Sequence, residues 1–131
     1  LQRLQDRGVP IRVALAMEAR MEPDAASYNV VGEIRGTEAV HLLHALNTGH
    51  DGGMASLHAS SARSALSRLE SMALLGIPPG SGWKLDDMRK LIADCIHYVV
   101  HMKRTGEMRH VSEIIEIKGF SNGEYDINRV F

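Results

Sequence analysis

Two short segments of this 131-residue sequence hold residue types that can do chemistry together. The first is Val30-Val31-Gly32-Glu33-Ile34-Arg35-Gly36. A short apolar run there delivers an acid and a base to its C-terminal end. Open parallel sheets bind their ligands at that end of the strands. A carboxylate so placed can hold Mg²⁺ through water or orient an attacking water. The same residues also fit a charged strand end solvated at the surface, and alone they do not separate the two readings. The second segment is Gly49-His50-Asp51-Gly52-Gly53-Met54-Ala55-Ser56-Leu57-His58-Ala59. Its glycines let backbone approach a ligand closely. Alternation at period two puts Met54, Ser56 and His58 on one face. His58 then stands at the strand's C-terminal end, on the same rim as Glu33. A lone histidine there is more often structural. Two polar strand ends in successive strand–helix units favour a shared site.

The remaining candidates are weaker. His41 and His44 lie at i, i+3 on a helical stretch and could ligate a metal. No third ligand is near them in sequence, so a solvated helix face is the simpler reading. Cys95, His97 and His101 share one face of an expected strand. His97 and His101 would stand roughly 13 Å apart on it, too far for one ion, so edge-strand side chains are favoured. Methionines at helical spacing read as core filler. Trp83 sits in a Gly/Pro-rich loop, either as an anchor or as a partner contact. Arg63 and Arg68 share a helix and mark an exposed face or an interface.

The elements that must position these residues follow from local patterning. Pro10 suits a first helical turn, and Val13, Ala16, Met17 and Arg20 share a helical face, so a helix is expected over residues 10–21. Tyr28 to Ile34 reads as a buried strand. A helix is expected over 37–47, with Ala39, Leu42, Leu43 and Leu46 inward. Gly53 to Ala59 is a second strand. Ser60 or Ser61 caps a further helix ending at Gly76 and Pro78-Pro79. After a loop over 77–84 comes a helix over 85–94. The rest is β: Ile96 to Met102, Val111 to Ile117, and Tyr125 to Phe131, with turns at Thr105-Gly106 and Ser121-Asn122-Gly123. Alternating helices and strands imply right-handed crossovers and a parallel sheet. The expected fold class is α/β, mostly parallel, with antiparallel C-terminal strands.

Composition sets the outer bounds. Hydrophobic residues make up 44% and charged residues 24%, which is ordinary for a globular domain. Fifteen basic against sixteen acidic residues leave a net charge of −1, so no direct nucleic-acid partner is expected. No apolar run approaches the roughly 20 residues that span a bilayer. Leu1-Gln2-Arg3-Leu4-Gln5 carries no apolar core of a signal peptide. Cys95 is the only cysteine, which excludes an internal disulfide and fits a reducing compartment.

In this order and spacing, the two segments resemble the secretion traffic ATPases, which power type II and type IV secretion and Tad/Flp pili. The stretch over residues 28–36 is similar to the family's atypical Walker B box, which ends in Gly-Glu-x-Arg. Residues 49–59 resemble its His box. Arg20-Met21-Glu22-Pro23-Asp24, Ala45-Leu46-Asn47-Thr48-Gly49-His50 and Ala65-Leu66-Ser67-Arg68-Leu69-Glu70 match further family patterns. The likeness covers roughly residues 12–115 and is strongest to the Tad and type IV secretion branch. It implies that Glu33 orients the water and helps hold Mg²⁺ through water, and that His58 senses the γ-phosphate of ATP. Arg35 and Arg20 would organise the site or a subunit boundary, Gly49 and His50 would bind nucleotide or organise the site with them, and His50 and Asp51 would position the His box. The implied setting is a hexamer at the cytoplasmic face of the bacterial inner membrane, working with secretion or pilus platform proteins.

Two departures qualify the likeness. Ala25 to Val31 makes a longer link between Pro-Asp and Gly-Glu than the family pattern. More important, no Gly-x-x-x-x-Gly-Lys-Ser/Thr phosphate loop occurs. Gly80-Ser81-Gly82-Trp83-Lys84 has the wrong spacing, and Leu85 follows its lysine. The expectation is the C-terminal part of a RecA-like P-loop NTPase core over residues 1–131, with a β-rich subregion at 95–131, inactive alone. The missing loop reflects truncation or degeneration. The rival reading is a non-catalytic interaction or oligomerisation module derived from such an ATPase. A His-dependent metallohydrolase would need a converging ligand set that the sequence does not offer.

Overall fold

A computed structural model describes residues 13–17, 30–48 and 53–131. Six strands form one sheet in the order β2-β3-β1-β4-β5-β6. They are β1 (Val13–Met17), β2 (Val30–Glu33), β3 (Met54–Leu57), β4 (Tyr98–Thr105), β5 (Met108–Ser121) and β6 (Glu124–Arg129). Among the described residues three helices connect them: α1 (Glu38–Asn47), α2 (Ala62–Leu75) and α3 (Leu85–Cys95). The pairs β2·β3, β3·β1 and β1·β4 are parallel. The pairs β4·β5 and β5·β6 are antiparallel. The sheet is therefore mixed, with its antiparallel part at the C-terminal end of the chain.

The helix expected over 10–21 is corrected where the structure describes it. Val13–Met17 is a strand, in register with Met54–Leu57 on one side and Tyr98–Met102 on the other. Val-Ala-Leu-Ala-Met has local leanings toward a helix, but two neighbouring strands offer it ladder hydrogen bonds on both edges. Tertiary pairing then overrides weak propensity. The other expected elements are present with small shifts. The middle C-terminal strand runs much longer than expected, over Met108–Ser121.

Burial explains the layering. Leu43, Leu57, Leu66, Leu69, Met88, Ile92 and Val99 belong to one core cluster with Ile115 and Ile117. All three helices contribute to it. Val100, with Met54, Tyr98, Met102, Val111 and Ile114, forms a smaller cluster built from strands alone. Successive residues of β4 point to opposite faces, so Val99 enters the large core while Tyr98, Val100 and Met102 enter the small one. Among the described residues, the helices thus cover one face of the sheet. None of those helices is long and apolar enough to cross a membrane.

Local chemistry sets the element ends. Ser61 is the cap of α2: its Oγ accepts the Ser64 N–H at 3.1 Å, and Ser64 Oγ accepts the Ser61 N–H at 2.9 Å. The serine pair does the reciprocal work usually done by Ser with Glu or Gln. Asp86 and Asp87 lie in the first turn of α3, where negative charge meets the positive end of the helix dipole. Asn122 (φ 54°) and Gly123 (φ 82°) make the two-residue turn between β5 and β6, a conformation these two residue types adopt at little cost.

An ion pair between buried Glu70 and partly buried Arg89 ties three elements together. Arg89 Nε of α3 lies 3.2 Å from Glu70 Oε2 of α2. Arg89 Nη1 also donates to the Gly123 carbonyl in the β5–β6 turn at 3.4 Å. Tyr125 of β6 packs beside this pair, and burial, then the Glu70 charge, raise its phenol well above the ordinary value of 10.0. A raised native value contributes stability that is whole below pH 10 and is lost as pH rises through the raised value. Carbon NMR at the Tyr125 ring should show ionisation beginning well above pH 10. Glu70→Gln should move that midpoint downward by removing the nearby charge, and an unmoved midpoint would dissociate Tyr125 from Glu70.

Candidate active site

The parallel pairing of β2 with β3 brings the two chemistry-bearing segments together. Val30 pairs with Met54 and Val31 with Ala55. The register then slips, so that Glu33 stands opposite Ser56. The Ile34 N–H donates to the Ser56 carbonyl at 2.7 Å, which holds the two strand ends side by side. Gly53 leads into β3 beneath α1. A Cβ there would press on Leu46 Cδ2, so a larger residue would require the end of that leucine side chain to shift.

Glu33 and His58 meet on one rim. His58 Nε2 lies 2.8 Å from Glu33 Oε1. Arg35 donates to the other oxygen, Oε2, through Nη2 at 2.6 Å and Nε at 3.1 Å. The Glu33 side chain is 11% exposed, against 75% for Arg35 and 46% for His58. The acid is thus the sheltered member of the trio and its partners face solvent.

The electrostatics favour an ionised acid. The Arg35 hydrogen bond chiefly, then the charges of Arg35, His58 and Arg68, hold the Glu33 carboxyl below its ordinary range against an opposing effect of partial burial. The same contact raises Arg35. Arg68, a residue of α2, therefore adds positive potential at this rim. Glu38 secures the turn after the strand: its Oε1 accepts the Arg35 N–H at 2.5 Å and the Gly36 N–H at 3.0 Å. Those backbone hydrogen bonds lower its carboxyl too. Charge at the start of α1 is also favoured by the helix dipole.

A carboxylate with low proton affinity is a weak proton acceptor and a good hydrogen-bond acceptor. Oε2 already accepts two Arg35 donors, whereas Oε1 meets His58 alone and keeps further acceptor capacity. The arrangement suits orienting a water, or receiving a water carried by a hard cation.

The other candidates fare differently. Arg20, Gly49, His50 and Asp51 lie outside the described residues. His41 and His44 are exposed on α1. Among the described residues no group of three His, Cys, Asp or Glu could hold a metal ion. Cys95, His97 and His101 do not share an edge-strand face, which corrects that expectation. Cys95 is the buried last residue of α3, with its thiol 3.4 Å from the Leu43 carbonyl. His97 precedes β4, and its carbonyl accepts the Ile117 N–H at 2.8 Å. His101 is 8% exposed in a strand paired on both sides. Trp83 is 41% exposed in its loop. Lys84 caps α3, where its N–H donates to Asp87 Oδ2 at 3.0 Å, so the Gly80–Lys84 stretch ends as a helix start.

Sequence reasoning missed a cleft of about 370 Å³ lined by Ser60, Ser61, His101, Lys103, Ser112 and Glu113 with Arg129. It opens beside the segment that follows His58. The residues come from β4, β5, β6 and the link before α2, and the β4·β5 register, with His101 opposite Glu113, forms its centre.

Known proteins share this sequence pattern. Residues 3–107 match the family described as type II/IV secretion system protein. A probable conjugal transfer protein TrbB of Sinorhizobium fredii is 38% identical over 82% of this chain and 30% of its own length. The conjugal transfer protein TrbB of Rhizobium radiobacter is 37% identical over 81% of this chain and 30% of its own length. The type IV secretion system protein VirB11 of Bartonella quintana is 34% identical over 72% of this chain and 26% of its own length. The chain therefore spans at most about a third of these curated relatives. In fold, the chain is similar to the VirB11 ATPase of the Brucella suis type IV secretion system, solved with sulphate. That match has a TM-score of 0.61 at 21% identity and covers 85% of this chain and 42% of that one. The family match over most of the chain, with relatives above 30% identity, places it in the type II/IV secretion system protein family.

Proposed function

We propose that this chain is the C-terminal part of a secretion ATPase domain of RecA-like fold, and that Glu33 and His58 are its working pair. The observation that carries the reading is the Glu33 carboxylate held between Arg35 and His58 on one rim. In the complete protein, Glu33 orients the attacking water and His58 contacts the γ-phosphate of ATP. Arg35 keeps the acid ionised. Arg20, Gly49 and His50 organise the surroundings. Assembly is a homo-hexamer on inner-membrane platform proteins at the cytoplasmic face, coupling hydrolysis to macromolecular transport.

Mg²⁺ fits this donor set in one way. A single ionised carboxylate is a hard oxygen donor, and no cage of three ligands exists among the described residues. Mg²⁺ commonly keeps several waters and binds through one or two carboxylates plus substrate phosphates. Glu33 would hold it through water. When bound, the ion supplies charge neutralisation at the phosphates. The protein's own part is to keep Glu33 ionised, aim the remaining acceptor site of Oε1 and hold His58 beside it.

The sequence contains no Gly-x-x-x-x-Gly-Lys-Ser/Thr loop, and that loop normally supplies the phosphate cradle and a lysine. Purified chain should therefore show no Mg²⁺-dependent ATP turnover. Steady turnover that disappears in Glu33→Gln would demonstrate a self-sufficient site and overturn the reading of a partial one.

In the complete protein, Glu33→Gln should leave nucleotide affinity nearly unchanged and lower turnover at least about 10²-fold, the scale for losing one preorganised electrostatic contact at the reacting centre. Amide and carboxylate are nearly isosteric, so packing survives while the charge is lost. His58→Ala should slow turnover less. Paired binding and turnover assays check both. Wild-type turnover in Glu33→Gln would remove Glu33 from the mechanism.

A further inference from the structure

The segment between His58 and α2 is gripped from the antiparallel part of the sheet. His101 Nε2 lies 3.3 Å from the Ala59 carbonyl. A carbonyl only accepts, so Nε2 carries the proton and donates. The other ring nitrogen, Nδ1, lies 2.6 Å from Ser112 Oγ on β5. Ser112 Oγ also lies 3.1 Å from the His101 carbonyl, so its single hydroxyl proton is shared between two acceptors of His101, the ring nitrogen and the carbonyl. One residue further on, Glu113 Oε2 accepts the Ala62 N–H at 3.0 Å, taking one of the donors that a helix start leaves unpaired. Ala59 directly follows His58, and Ala62 opens α2. Two side chains thus hold both ends of the four-residue link.

We infer that His101 is a positioning residue: through Ala59 it sets where His58 stands against Glu33. The inference deepens the reading of Glu33 and His58 as the working pair and rests on it for its functional consequence. His101 is 8% exposed, in a strand hydrogen-bonded on both sides, and so its ring is a rigid reference. His58 is 46% exposed and has few constraints of its own. A solvent-facing side chain needs its backbone held if it is to meet one carboxylate oxygen. Misplacement by about 1 Å can cost up to about 10²-fold in rate.

The test compares His101→Gln, His101→Leu and Ser112→Ala. Gln keeps a donor for Ala59 and an acceptor for Ser112, whereas Leu keeps bulk and loses both. The first readout is the nitrogen NMR signal of the His58 ring in this chain at one fixed pH. The second is kcat and KM for ATP in the complete protein. His101→Leu should move the His58 signal toward that of a free imidazole and lower kcat about 10-fold or more, with KM unchanged. His101→Gln should restore both. Should His101→Leu fail to fold, Ser112→Ala answers the same question with a smaller shift in the same direction. An unchanged His58 signal in whichever of the two folds overturns the inference. A shifted signal with wild-type turnover in both His101→Leu and Glu33→Gln would leave the positioning intact and overturn the catalytic reading instead.

Discussion

The Glu33 carboxylate is held by a different partner on each oxygen, and the fold is organised so that both partners arrive. Arg35 comes from the same chain segment, two residues on, and reaches back to Oε2. His58 comes from the neighbouring strand and meets Oε1. The first contact is local and needs only the turn that Glu38 stabilises through two backbone N–H groups. The second needs β2 and β3 parallel, adjacent and in one register. A slip of one residue would turn Glu33 to the other face of the sheet. The observed shift between Val31 and Glu33 is therefore part of what aims the acid.

Energetically the two halves of the molecule play different parts. The helices bury Leu43, Leu66, Leu69, Met88 and Ile92 against one face of the sheet. Such burial supplies the main non-directional stabilisation. The antiparallel strands supply directional contacts: Ser112, Glu113 and His101 hold the link after β3, and Tyr125 sits against the Glu70–Arg89 pair. Removing Arg89 would leave the buried Glu70 charge uncompensated, which destabilises more than the pair itself stabilises. The C-terminal hairpin is thereby coupled to α2, the helix that also carries Arg68 toward Glu33.

Much of this is legible in the sequence, for physical reasons that differ by element. Val30-Val31 before Gly-Glu is a short apolar run, and such runs read as buried strands. Ser61 and Ser64, Gly76 with Pro78-Pro79, and Asn122-Gly123 are local signals whose chemistry acts within a few residues. The meeting of Glu33 with His58 is expected because one helix separates two parallel strands. The strand at Val13–Met17 is not legible, since its alanines and leucine suit a helix and only its neighbours decide otherwise. His101 reads locally as an edge-strand side chain, because nothing nearby in sequence reveals that β1 and β5 flank its strand. The cleft around it depends on the β4·β5 register, a pairing across a long hairpin with a bulge. The turn at Thr105-Gly106 is marked in the sequence, but the bulge between His101 and Met102 that resets the register is not.

The central claim is that Glu33 and His58 act as one unit rather than as two separate polar groups. A double-mutant cycle on ATP turnover in the complete protein addresses it most directly, using Glu33→Gln, His58→Ala and the pair. Residues acting as a unit are strongly non-additive, whereas independent ones multiply their effects. The account predicts that the double variant turns over about as slowly as Glu33→Gln alone. A double variant slowed by the full product of the two single effects would contradict it.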